Sequence, residues 1–85
     1  MELDRRKKMN DKVYFVASNI RAYRARSGMT QEDVAKKLGV SRVTYNDYEV
    51  NPQKLKVETL LQIATALNCK LSDFFVEFNV TERNK

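Results

Sequence analysis

Between Thr30 and Asn51 the chain carries its start and stop signals so close together that only two short helices fit the stretch. Thr30 can accept from the free amides of a helix N-terminus, and Asp33, three residues on, can return the bond as a capping box. Val34, Ala35 and Leu38 then fall on one face, and Ala35 is small where a following helix must cross closely. Gly39 comes just after the last apolar position and tolerates the positive φ of a helix C-terminus. Ser41 is a natural N-cap for a second helix. In that helix Tyr45 and Tyr48 face inward with Val40, and Arg42, Val43, Thr44, Asn46 and Asp47 are left pointing outward.

Two short helices joined by a tight Gly-containing turn make a helix-turn-helix. The flanking chain reads as support for it. A first helix is expected from near Asn10 or Asp11 to Ser27, with Val13, Val16, Ala17, Ile20 and Tyr23 as its buried stripe and Gly28 ending it. Tyr14 and Phe15 lie off that stripe and either cover neighbouring side chains or add a subunit contact. A fourth helix is expected over residues 57–67, where Leu60, Ile63, Ala64 and Leu67 recur at helical spacing. Leu71 to Phe75 is read as a short fifth helix with a loose start at Lys70, which is a poor cap. The expected fold is an all-α, compact five-helix domain.

Residues 13–75 resemble the lambda-repressor/Cro-like, XRE-type family of helix-turn-helix DNA-binding domains. The resemblance rests on Ile20-Arg21 and Tyr23-Arg24, on Gly28-Met29-Thr30-Gln31, on Val34 through Ser41, on Tyr48-Glu49, and on Glu58-Thr59-Leu60-Leu61 leading to Ile63-Ala64 and Ala66-Leu67. Each fragment is weak by itself, and their joint spacing is what is specific. The resemblance implies that residues 42–50 enter the major groove of double-stranded DNA. It places Arg42, Val43, Thr44 and Asp47 toward base edges, and Gln31, Ser41 and Asn46 toward phosphates. Arg42 is the foremost of these, because a guanidinium can bond guanine O6 and N7 together. Asp47 either accepts from a cytosine amine or does not touch DNA. The loop holding Lys54 and Lys56 approaches the DNA backbone in the family, which makes both lysines phosphate candidates. The family also pairs an Arg at position 24 with a Glu at position 49, so Arg24 and Glu49 are expected to form a structural ion pair. Asn51 and Asn68 stand where such domains often place glycine, and each is expected to act as a left-handed cap. Tyr45 and Tyr48 replace the usual aliphatic residues and are expected to bury their rings with the hydroxyls toward solvent or phosphate.

Outside the resemblance, residues 1–12 are a charged tail, either frayed or an arm in which Arg5, Arg6, Lys7 and Lys8 lie along DNA. At the other end, residues 76–85 form a second tail in which Val76, Phe78 and Val80 alternate with Glu77 and Asn79. The segment is either a frayed tail whose Phe74 and Phe75 pack on the core or a weak strand that must pair with another copy or fold back, and for the latter Phe75, Val76, Phe78 and Val80 are the dimerisation candidates.

Composition narrows the chemistry. The chain of 85 residues is 42% hydrophobic, enough for one small core. It has no histidine and a single cysteine, Cys69, so no common catalytic triad, intrachain disulfide or cysteine-based zinc site can be built. No cofactor or metal is expected, and an enzyme is not. Absence of an 18-residue apolar run or an N-terminal apolar core argues against membrane insertion or export, and toward the cytoplasm. The net charge of +5 supplies attraction to phosphate without sequence information, and it fits a soluble basic surface equally well. The resemblance implies a transcriptional regulator of bacterial or phage origin, a repressor acting as a homodimer on an inverted repeat. The alternative is an antitoxin or adaptor that uses the same fold to hold a protein partner.

Overall fold

The structure, a computed structural model, describes residues 15–77. Within them the chain forms α1 (helical over 15–26), α2 (Gln31–Leu38), α3 (Arg42–Val50) and α4 (Val57–Ala66). Two short 3₁₀ turns, Pro52–Lys54 and Leu71–Phe75, follow α3 and α4. No strand occurs among the described residues. The readings made for residues 1–12, for Val13 and Tyr14, and for Phe78 and Val80 lie outside the described residues.

Each boundary of α2 has a local cause. Thr30 Oγ1 accepts from the Asp33 amide at 3.0 Å and Asp33 Oδ2 accepts from the Thr30 amide at 2.9 Å, so the capping box is complete. These bonds, the one from the Thr30 backbone first, hold the Asp33 carboxyl below its ordinary pKa. At the other end Gly39 takes φ 75°, and its amide and that of Val40 donate back into the last turn of α2. The left-handed turn redirects the chain in a single step, and Ser41 Oγ then accepts from the Thr44 amide at 3.1 Å to open α3.

The core gathers Ile20 from α1, Val34 and Ala35 from α2, Tyr45 from α3, Leu60, Ile63 and Ala64 from α4, and Leu67 and Phe74 beyond it. Phe74 meets Tyr23 edge to face with ring centroids 6.2 Å apart. Asn19 is a polar residue buried on the inward side of α1, and its Nδ2 donates to the carbonyls of Phe74 and Val76, both at 2.9 Å. That clamp satisfies the Asn19 NH₂ and fixes the course of the chain leaving the core.

Three expectations need correction. Among the described residues there are four α-helices and not five, because Leu71–Phe75 is a 3₁₀ turn. Lys70 offers no side-chain acceptor at its start, so only the return bond from its amide to Asp73 Oδ2 forms, and Asn19 takes carbonyls that a continuing helix would use. Asn51 is not left-handed: it sits at φ −122°, ψ 58°, because the ring of Pro52 restricts the residue before it. Asn68 alone among the described non-glycine residues has positive φ, at 62°, and ends α4 in the expected way. The Tyr45 hydroxyl is buried rather than turned to solvent, since Tyr45 is fully enclosed and its Oη has an internal acceptor.

Candidate nucleic-acid interface

α3 has two unlike faces. Tyr45 and Glu49 are buried on the inner side and Tyr48 is half-buried beside them, its ring 6.4 Å from that of Tyr45. Arg42, Val43, Thr44, Asn46 and Asp47 are all exposed, Val43 to 68%. An apolar side chain so exposed on an otherwise polar face makes no contribution to the core, and it leaves a methyl-rich surface between Arg42 and Thr44.

Glu49 anchors the inner face. It is 1% exposed, and its two oxygens accept from Arg24 Nε at 2.6 Å, Arg24 Nη2 at 3.3 Å, Gln31 Nε2 at 3.0 Å and Tyr45 Oη at 2.8 Å. A buried carboxylate is tolerated only when paired and hydrogen-bonded in this way. Burial alone would raise its pKa, but the bonds from Arg24, Gln31 and Tyr45 outweigh burial and hold it below the ordinary carboxylate value. The same bond, more than its Coulombic attraction, raises the Arg24 guanidinium, and burial followed by the bond to Glu49 pushes the Tyr45 phenol up. Glu49 is therefore an anion at neutral pH and both neighbours are donors. Arg24 Nη1 also donates to the Met29 carbonyl at 3.1 Å, so one side chain joins α1, the loop before α2 and α3.

The other site residues take definite places. Gln31, at the first position of α2, spends both N–H bonds inside the protein, one on Glu49 Oε1 and one on Asn46 Oδ1 at 2.9 Å. Ser41 Oγ donates to Thr44 Oγ1 at 3.0 Å while capping α3. Asp47 Oδ1 accepts from Asn51 Nδ2 at 2.9 Å, so this carboxylate is tied to the end of its own helix and makes no bond to Arg42. Lys54 and Lys56 are exposed in the connection after α3. Phe75 and Val76 are each 49% exposed and lie at the opposite end of the fold order, after α4. The Gln31–Asn46 bond and the Tyr45–Glu49 bond were not visible as sequence signals. The first depends on how α2 and α3 cross; the second joins residues one turn apart on α3.

Helices α2 and α3, set by a left-handed turn and locked from behind by a buried ion pair, present one exposed polar face of α3; such an arrangement defines a helix-turn-helix domain. A helix-turn-helix family model matches residues 20–74, and the chain belongs to the XRE-type helix-turn-helix family. It is 37% identical over 59 residues to an uncharacterised HTH-type transcriptional regulator of Archaeoglobus fulgidus, covering 69% of this chain and 84% of that protein. A second such regulator, from Methanocaldococcus jannaschii, is also 37% identical over 59 residues, covering 69% and 89%. Antitoxin HipB of Escherichia coli K12 is 28% identical over 57 residues, covering 67% of this chain and 65% of that protein. No solved structure matches. Among the described residues no cluster of His, Cys, Asp or Glu could hold a metal ion, and no helix is long and apolar enough to cross a membrane.

Proposed function

We propose that the protein is a sequence-specific double-stranded DNA-binding transcriptional regulator, a repressor that lays α3 in the major groove. One observation carries this reading: α3 is fixed rigidly on its inner face by Tyr45 and Glu49 while Arg42, Val43, Thr44, Asn46 and Asp47 make a continuous exposed edge. A major groove about 12 Å wide admits a helix in this way. Arg42 is assigned to guanine, Val43 and the Thr44 methyl to thymine methyls, and Asp47 to a cytosine amine through its remaining lone pairs. Ser41, Asn46, Lys54 and Lys56 are assigned to the backbone, with Gln31 behind them. Repression then follows from occupancy of the operator.

The proposed working form is a homodimer on an inverted repeat, its half-sites one helical turn or ~34 Å apart. An apolar groove of about 410 Å³ lined by Phe15, Val16, Pro52, Leu55, Leu60 and Phe75 supports a self-contact at the end that carries Phe75 and Val76. Phe78 and Val80 are assigned to the same contact. The proposed location is the cytoplasm, on the nucleoid. A second reading, an antitoxin or adaptor, is favoured by the likeness to antitoxin HipB and would place a protein partner in that groove.

Selection of binding sites from random double-stranded DNA tests the main reading. Enrichment of an inverted repeat is the expected result. Steep salt-dependent affinity without any enriched sequence would overturn it and leave the protein-partner reading.

A further inference from the structure

The hydrogen bonds behind α3 have a direction that one end of the chain dictates. Arg24 can only donate, and Glu49, as an anion, can only accept. Gln31 must therefore turn its Nε2 toward Glu49, since its carbonyl oxygen would repel the carboxylate. The second N–H of the same nitrogen then points to Asn46, which has to answer with its carbonyl oxygen. A side-chain amide carries its oxygen and its NH₂ on opposite sides, so the Asn46 NH₂ faces away from Gln31, on the exposed side of α3.

We infer that Gln31 is a positioning residue that acts on DNA through Asn46, turning position 46 into a hydrogen-bond donor aimed at an acceptor on the duplex, either a phosphate oxygen or the acceptor edge of a base. The inference rests on the DNA-binding reading and deepens it. Two consequences are specific. Gln31 has no free side-chain N–H with which to hold a phosphate itself, because both are spent internally. Asn46 does not read adenine with its oxygen and NH₂ together, because its carbonyl is drawn inward by Gln31. Exposed Asn side chains ordinarily rotate freely; here the orientation is inherited from the buried Arg24–Glu49 pair, 1% exposed on the Glu49 side.

The test is a double-mutant cycle on the duplex that the wild-type protein selects, using Gln31→Ala, Asn46→Ala and the double variant, with Gln31→Met as a second form that keeps the packing of the side chain. Melting temperatures are recorded for each so that titrations are made well below unfolding. Each single change is expected to weaken binding by about three- to tenfold, the worth of one neutral hydrogen bond. The double variant is expected to bind no more weakly than Asn46→Ala alone. Losses that multiply in the double variant would overturn the inference, for they would mean that Gln31 touches DNA independently. Duplexes carrying a neutral methylphosphonate or a 7-deazapurine at the contacted position separate the two sources of acceptor: the loss on Asn46→Ala disappears on whichever substitution removes the true partner. A readout without DNA is amide proton exchange in the free protein, where the Gln31 NH₂ is expected to be protected and the Asn46 NH₂ to exchange fast. The opposite order overturns the arrangement. A wild-type protein that enriches no duplex overturns the DNA reading itself, and because amide exchange does not depend on DNA, the two failures are told apart.

Discussion

Removing the Glu49 carboxylate is the perturbation whose size the structure fixes best. In Glu49→Ala the guanidinium of Arg24, the Gln31 amide and the enclosed hydroxyl of Tyr45 all lose the acceptor they share. Arg24 is 20% exposed and can recover part of its solvation, whereas the Tyr45 hydroxyl, on a residue fully enclosed, cannot reach water without opening the core. Breaking a buried pair by deleting one partner costs about 3–5 kcal/mol, to be set against a total stability of about 5–15 kcal/mol for an ordinary domain. At about 4–8 °C per kcal/mol for a domain of this length, the midpoint should fall by roughly 12 °C or more. Glu49→Gln keeps the shape and an acceptor but not the charge, so its cost should be smaller, about 1.5–3 kcal/mol. Replacing the whole cluster as Arg24→Met, Glu49→Leu and Tyr45→Phe should lose less than Glu49→Ala alone, because no orphaned polar group remains. pH provides a second axis. The folded pKa of Glu49 lies below its ordinary value, so its contribution is complete above the unfolded pKa of about 4.3 and is lost as pH falls through the folded value. The acid limb of wild-type stability should therefore be steeper than that of Glu49→Gln. Urea unfolding of the variants across pH measures all of this. A Glu49→Ala unfolding free energy within about 1 kcal/mol of wild type would refute the reasoning.

Thr30→Ala removes the side-chain acceptor of the capping box and should cost about 1 kcal/mol in urea unfolding, with α2 fraying first by amide exchange. Arg42→Ala should relax preference at one base pair per half-site, a discrimination of about 1–3 kcal/mol, whereas Lys54→Ala should weaken all sequences alike and lower the salt slope by about 1. Selection profiles and salt titrations of the two variants distinguish these outcomes, and equal effects on every sequence from both would count against the division of contacts. Phe75→Glu puts a charge on an exposed aromatic beside the apolar groove and should give monomers by light scattering with the melting temperature little changed; an unchanged dimer mass would remove this end as the interface.

What the sequence made legible was mostly local. Thr30 with Asp33, Gly39 and Ser41 act through bonds spanning three to five residues, and such bonds are written in the order of residues. The inward and outward faces of α3 were legible for the same reason, because helical spacing separates Tyr45 and Tyr48 from Arg42, Val43 and Asp47, while the inward place of Glu49 came from the family resemblance. Where the reading failed, a neighbour overrode a local preference. Asn51 has the chemistry of a left-handed cap, and the ring of Pro52 denies it that conformation. Leu71–Phe75 is too short for propensity to decide, and Asn19, over fifty positions away, takes its terminal carbonyls. Tyr45 replaces an aliphatic residue, and its hydroxyl was expected outside because no internal acceptor was apparent in the order of residues; the acceptor is Glu49, one turn along the same helix, already turned inward by Arg24. The Gln31–Asn46 bond is a product of the α2–α3 crossing and has no signature in spacing.

The exposed residues of α3 and the residues that hold it are different residues. Arg42, Val43, Thr44 and Asp47 contribute nothing to the buried cluster, so exchanging them should shift stability by no more than about 0.5 kcal/mol each. Glu49 and Tyr45 cannot be exchanged on those terms, and Asn46 stands between the two groups, exposed yet tied inward through Gln31. The outward edge is thus interchangeable on a frame that stays constant, and under the proposed DNA-binding function new sequence preferences can be acquired there by drift without risking the fold. Position 46 is where that freedom ends, since a new residue there must still answer a glutamine that faces it with a hydrogen.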